Sequence, residues 1–340
     1  MDKGIYLLIV FLPSRTVLKT KAKEFNLRKG YYYYSGSAMR NLSARVKRHI
    51  KVLKKKHWHI DFLIEKGEIV LINPYIVGDK EFEHILAHLL SEKLSAIKGF
   101  GCGDCKCETH LFYSQKLYLY PFLKELFKIQ IERVIEILID LYRGKETPVE
   151  RFKTPWELLV SCVISLRTRD EVTAIAAKRL FDIAKTPEEL MNLPADKIAS
   201  LIYPAGFYKT KGKNLKKIAK IIVEEYSGKV PDSKDDLLKL PNVGIKTANL
   251  VLANGFGHYE VCVDTHVHRI SNRIGFIKTK TPEESERVLK KILPEKYIRE
   301  YNGLLVKHGQ SICKPIKPVC SQCPLKKLCM HFLKNENNTT

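Results

Sequence analysis

The chain has 340 residues, and 59 Lys and Arg against 37 Asp and Glu give it a net charge of +22. At roughly 150 residues per domain this length predicts two domains, and an apolar content of 45% argues against intrinsic disorder. The early apolar run Ile5–Leu12 is far shorter than the roughly 20 residues that cross a bilayer, and it has no small-residue cleavage site behind it. No membrane partner is expected. Charge of this sign and size fits a polyanion as partner, with an inert basic surface as the alternative.

Gly4–Leu12 and Gly30–Tyr34 read as strands, and Asp61–Glu65 with Ile69–Ile72 as a hairpin around Lys66-Gly67. Helical periodicity runs over Leu42–Leu53 and Glu81–Leu94, so residues 1–120 are expected to form a small α/β domain. From Phe122 to Tyr142 apolar residues recur at helical spacing. Further on, Thr154-Pro155, Thr186-Pro187, Ser233-Lys234-Asp235-Asp236 and Thr281-Pro282 are helix starts. The fold class is therefore multidomain, with an all-α second domain over residues 121–333 and a frayed polar tail over 334–340.

Nine cysteines divide into two solitary ones in apolar runs, Cys162 and Cys262, and two tight groups. Cys313-x6-Cys320-x2-Cys323-x5-Cys329 supplies four thiols within 17 residues. Zinc usually takes two short Cys-x2-Cys knuckles. One knuckle between wider loops favours a [4Fe–4S] cluster over Zn²⁺, in a basic setting that includes Lys317. The other group, Cys102, Cys105, Cys107 and His110, with His57 or His59 as further candidates, is either a Zn²⁺ site or a set of metal-free thiols.

The most informative stretch is Leu237 to Leu252, where a short helix ends at Leu240, Pro241-Asn242-Val243-Gly244 turns the chain, and a second helix starts near Ile245. Gly244 would let backbone N–H groups approach a phosphate at a helix N-terminus; an ordinary helix–helix turn is the plainer reading. Lys246 falls in the first turn of the second helix. There the helix dipole and a partly dry cleft are expected to lower its pKa, as a nucleophilic amine requires. Asp264, at the end of Val261-Cys262-Val263, reads as an N-cap that also faces the lysine.

These features together resemble the endonuclease III family of base-excision DNA glycosylases, in the helix-hairpin-helix superfamily. Residues from about 125 to 333 carry the resemblance: Leu240-Pro-Asn-Val-Gly-Ile-Lys-Thr-Ala-Asn249, Val263-Asp264-Thr-His-Val267, and the 6-2-5 cysteine spacing. It implies two helical lobes with an iron–sulfur loop at 313–329, and double-stranded DNA bearing damaged bases or abasic sites as partner. The damaged nucleotide would be flipped into the cleft, Lys246 would attack C1′ and form a Schiff base, and Asp264 would stabilise positive charge on the sugar. Cutting 3′ to the abasic site by β-elimination would follow, with oxidised pyrimidines as substrates. Pro241, Val243 and Gly244 would grip DNA backbone, with Arg167 and Phe207 filling the gap left by flipping. Many members carry Gln where this chain has Arg167, and Asn242 replaces a usual glycine. A monomer in the cytoplasm, associated with the nucleoid, is expected; a non-catalytic DNA-binding protein is the first alternative.

The first domain is similar to the GIY-YIG nucleases in Gly4-Ile5-Tyr6, Tyr34-Ser35-Gly36 and the helical Arg45. The resemblance implies that Tyr6, Tyr34 and Arg45 surround a phosphate and that Glu83, or alternatively Glu81, holds a metal ion such as Mg²⁺. Twenty-seven residues separate the two tyrosines, more than in the nucleases. The cysteine group points instead to a GIY-YIG-related family of unassigned function that is sometimes fused to endonuclease III. Metal-dependent, structure-specific cleavage by this domain is the second alternative.

Overall fold

A computed structural model describes residues 2–20, 23–51, 56–103, 105–147, 151–152 and 154–335. The expected helix end at Leu53 and the tail beyond Asn335 lie outside these residues. Two compact units result: Met1–Val134 with Arg273–Gly275 and Cys320–Thr340, and Ile135–Asn272 with Phe276–Val319.

The first unit is built on a five-stranded antiparallel sheet. Its strands are β1 (Gly4–Leu12), β4 (Gly30–Ala38), β5 (Glu68–Ile76), β6 (Ser95–Ala96) and β7 (Leu111–Ser114), in the order β5-β1-β4-β7-β6. β2 (Thr16–Lys19) and β3 (Glu24–Leu27) form a separate ribbon in the long connection between β1 and β4. The continuous apolar run of β1 is explained by its central place: it pairs with β4 on one side and β5 on the other, and is buried on both faces. One face, with Tyr6, Leu8 and Val10, packs on Leu42 of α1 (Leu42–Ile50) and on Ile60 and Leu63 of α2 (His59–Lys66). On the opposite face, Ser35 Oγ donates to the Glu83 carbonyl of α3 (Glu81–Ser91) at 2.6 Å.

Asp61–Glu65, expected as the first strand of a hairpin, is helical instead. Ile60 and Leu63 share the buried side of α2, while the Asp61 carboxylate accepts the His57 and Trp58 amides at 2.8 and 3.0 Å and closes the first turn. A short apolar run does not by itself distinguish helix from strand. Here the carboxylate at the helix start decides.

The second unit is helical throughout its described residues. One core joins Pro155–Ser165, Asp170–Ile183, Ala195–Ile202, Tyr208–Tyr226 and Ile245–Val251, through side chains such as Leu159, Ala177, Ile198, Leu215 and Ala248. The helix starts at Thr154, Thr186, Ser233 and Thr281 each have the side-chain oxygen accepting an amide three residues on. A second group of helices, Thr265–Ile274, Pro282–Ile292 and Ile298–Ser311, is tied by Ser271 to Tyr301 at 2.8 Å and His268 to Ser285 at 2.7 Å. No helix among the described residues is long and apolar enough to cross a membrane.

Candidate active site

The hairpin forms as its residues dictate. Lys234–Lys239 ends at Leu240, the Val243 amide donates back to the Leu240 carbonyl at 3.2 Å, and Asn242 takes φ +62°, which Asn tolerates better than most residues. Gly244 then serves as N-cap of Ile245–Val251, with φ −100° and open space where a Cβ would stand. Neither backbone strain nor internal packing demands a glycine there; Gly is a favoured N-cap, and the open side leaves room for close approach by an outside group. The buried Asn249 side chain donates to the Val261 carbonyl at 3.0 Å and so fixes the segment that delivers Asp264.

Asp264 accepts the Val267 amide at 2.8 Å, which makes it an N-cap of the following helix with its orientation set. Its other oxygen lies 3.9 Å from Lys246 Nζ. The lysine side chain is 47% exposed and the carboxylate 11%, so the amine is open to a ligand while its partner is shielded. Both line a cleft of about 470 Å³ together with Cys162, Thr168, Asp170, His266 and Gln310.

The expected lowering of the Lys246 pKa is not what this cleft produces. Desolvation does pull it down, but the charge facing it, from the carboxylates of Asp264 and Asp170, outweighs that and raises it above the ordinary lysine value. The resting amine is an ammonium. Cys162 and Cys262 are buried thiols, both pushed up by desolvation, Cys162 to about 12. Asp170 was not singled out from sequence. It starts its helix inside the cleft, accepting from Gln310 at 2.6 Å, and its acidic place just after Arg167-Thr168-Arg169 was the only available signal.

Arg167 and Phe207 come together. Both have left-handed backbone, at φ +50° and +57°, and the Arg167 guanidinium stands 5.5 Å from the Phe207 ring centre. Phe207 is 63% exposed, so it is no core aromatic. A Cβ at Gly206 would collide with the Arg167 carbonyl oxygen, and the Gly206 amide donates to Thr168 Oγ1 at 3.0 Å. Two loops are thus clipped together with their tips projecting. Lys317 also has left-handed backbone, at φ +54°.

Residues 160–295 match the HhH-GPD superfamily of base excision DNA repair proteins, and residues 5–130 match a domain of unknown function, DUF123. Endonuclease III of Thermotoga maritima is 50% identical over 178 residues, which cover 52% of this chain and 84% of that protein. The chain belongs to the endonuclease III family. Endonuclease III of Buchnera aphidicola is 36% identical, covering 60% of this chain and 94% of its own. A solved endonuclease III–DNA covalent intermediate is 32% identical with a TM-score of 0.56, covering 62% of this chain and 98% of that one. This endonuclease III-family chain is a base-excision DNA glycosylase with a DUF123 domain ahead of its helical part.

The four C-terminal cysteines Cys313, Cys320, Cys323 and Cys329 are all half-buried and free of disulfides. Their loops are locally closed, the Cys323 amide donating to the Cys320 carbonyl at 3.2 Å and Val319 to Ile312 at 3.0 Å. An all-thiol donor set of this kind suits an iron–sulfur cluster.

In the first unit Tyr6, Tyr34, Arg45 and Glu83 line one cleft of about 520 Å³ with Ser37, His57, Trp58 and His59. The Tyr6 hydroxyl bonds His49 Nε2 at 2.9 Å, and Arg45 stacks 3.6 Å from the Trp58 ring centre. Glu81 instead pairs outside the cleft with Arg133 at 2.6 Å. The structure gathers three of the four residues of the cysteine group with one from outside it. Cys105, Cys107 and His110 gather with His84 of α3, whereas Cys102 bonds the Glu108 carbonyl at 3.7 Å, and His57 and His59 belong to the tyrosine cleft. Because His84 lies some twenty residues ahead of the cysteines in the chain, only the fold brings it to them.

Proposed function

We propose that this glycosylase is bifunctional, removing oxidised pyrimidines from double-stranded DNA and then cutting the abasic strand with Lys246. The observation that carries the reading is the 3.9 Å separation of Lys246 Nζ from the N-capping carboxylate of Asp264, in a cleft open to a ligand. Since the resting amine is protonated, it must first lose a proton to become a nucleophile, and the shielded carboxylate beside it is the nearest acceptor. The free amine attacks C1′ of a flipped nucleotide, the C1′–N bond breaks, and the base leaves with the electron pair, taking up the proton that Asp264 accepted. The Asp264 carboxylate stabilises positive charge on the sugar. The C1′–O4′ bond then opens, O4′ taking a proton from the nitrogen, and the iminium so formed at C1′ acidifies C2′–H, whose loss breaks the C3′–O bond and cuts the strand on the 3′ side.

Gly244 and the hairpin hold backbone phosphate, and Arg167 with Phe207 fills the gap in the stack. Pro241 and Val243 shape the hairpin turn, and Lys317 adds a cation for phosphate. Cys313, Cys320, Cys323 and Cys329 would hold a [4Fe–4S] cluster, which supplies a local cross-link for loops bearing Lys314, Lys317, Lys326 and Lys327. The protein acts as a cytoplasmic, nucleoid-associated monomer in this reading.

Borohydride trapping on an abasic or thymine-glycol duplex tests it. A covalent complex that disappears in Lys246→Ala is expected. No trapping by the intact protein would leave a DNA-binding protein without chemistry.

The convergence of Tyr6, Tyr34, Arg45 and Glu83 on one cleft favours a second activity, Mg²⁺-dependent nicking of branched DNA. It should be lost in Arg45→Ala and kept in Lys246→Ala.

A further inference from the structure

We propose that the first unit binds one zinc ion through Cys105, Cys107, His110 and His84. Their ligand atoms all lie within 4.8 Å of one another. Two pairs are closer: His84 Nδ1 is 3.1 Å from Cys107 Sγ, and His110 Nε2 is 3.2 Å from Cys105 Sγ. Zinc takes sulfur at about 2.3 Å and imidazole at about 2.0–2.1 Å, so a tetrahedral site spaces its donors by roughly 3.3–3.8 Å. Small side-chain adjustments bring all four to that geometry.

The donor set selects the ion. Two thiols and two imidazoles bind hard cations such as Mg²⁺ poorly and suit tetrahedral zinc. Four protein ligands close the coordination shell, which marks a structural site and not one that activates water.

The local fold explains why these four meet. The chain doubles back here, with the Gly99 amide donating to the Glu108 carbonyl and His110 to the Phe100 carbonyl, each at 2.9 Å. That return places Cys105, Cys107 and His110 on one loop facing His84, in the first turn of α3. The ring of His110 is buried and its second nitrogen lies 3.9 Å from Glu83 Oε1. A carboxylate behind a ligating histidine is the usual means of fixing its ring. Glu83 also accepts from Ser37 Oγ and lines the tyrosine cleft. The ion therefore staples the loop bearing Cys105, Cys107 and His110 to α3, next to the acid of that cleft.

The test uses the full-length, iron-loaded protein. Elemental analysis is expected to give one zinc per chain, and X-ray absorption at the zinc edge a first shell of two sulfurs and two nitrogens. His84→Ala should lose the zinc while keeping its iron and its borohydride trapping, and Cys102→Ser should keep the zinc. Zinc at background level, a shell of sulfur alone, or undiminished zinc in His84→Ala would overturn the assignment. The absorption measurement on unmodified protein decides even if a variant fails to fold, and the zinc readouts do not depend on Lys246.

Discussion

Lys211 Nζ donates to Thr168 Oγ1 at 2.9 Å, and the same oxygen accepts the Gly206 amide at 3.0 Å, so one buried ammonium underlies both projecting loops. Lys211 also donates to the Ile164 carbonyl at 2.6 Å and to the Leu166 carbonyl. Desolvation lowers its pKa to about 8, the mark of a lysine placed for its hydrogen bonds despite the cost to its charge. Lys211 is a positioning residue for Arg167 and Phe207. Lys211→Met should destabilise the protein by about 2 kcal/mol and slow base removal from a duplex about tenfold or more. A lesion in single-stranded DNA leaves no gap to fill, so the loss there should be small. Equal losses on both substrates would show that the lysine only holds the fold.

Gly244→Ala separates binding from stability. The backbone is at φ −100° and nothing stands within 4 Å of the added methyl, so the fold should lose under about 1 kcal/mol, the scale of an N-cap exchange. The methyl would nevertheless stand between the helix N-terminus and an approaching phosphate. Affinity for abasic duplex should fall about tenfold, near the 1.4 kcal/mol of one such hydrogen bond. Titration of duplex against protein at several salt concentrations measures it. Unaltered affinity would place the phosphate elsewhere.

The helical part of the molecule was legible because its signals are local. Thr154, Thr186, Ser233 and Thr281 announce their helices by a hydroxyl and an acid a few residues on, and each caps as read. The turn at Pro241–Gly244 and the capping of Asp264 were readable for the same reason. What escaped was decided by distant parts of the chain. The helix at Asp61 depends on the Arg48 guanidinium, paired with it at 2.6 Å, as well as on its own amides. β2, β3, β6 and β7 are only two to four residues long, too short for alternation to identify them, and the upward shift of Lys246 follows from groups across the cleft, Asp264 among them. His84 joins the cysteines only once α3 packs on the sheet.

Asp264 combines capping with electrostatics, and Asn can supply the first without the second. Asp264→Asn keeps an oxygen for the Val267 amide, and Asn caps as well as Asp, so thermal stability should stay within about 1 kcal/mol. Base removal should fall about 10²–10³-fold, the usual cost of losing one group that meets transition-state charge. Single-turnover excision at saturating protein reads this directly. A variant that excises at the normal rate would remove the carboxylate from the chemistry.

The first unit should weaken in acid through His49. Its ring is fully buried, with Tyr6 hydroxyl on Nε2 at 2.9 Å and Asp61 3.8 Å from Nδ1. Desolvation lowers its pKa to about 4; Asp61 opposes the shift, while Arg45 and Arg48 add to it. The unfolded chain takes up its proton near 6.5, well before the folded one does. His49 therefore leaves stability intact above pH 6.5, and stability is lost as pH falls towards 4. A shift of this size is worth about 3 kcal/mol. His49→Gln keeps an acceptor for Tyr6 without titrating, so the stability gap between variant and parent should narrow or reverse from pH 7 to pH 4. Denaturant unfolding of the two proteins at each pH gives that gap, and a constant difference across the range would mean that His49 stays neutral in both states or charged in both.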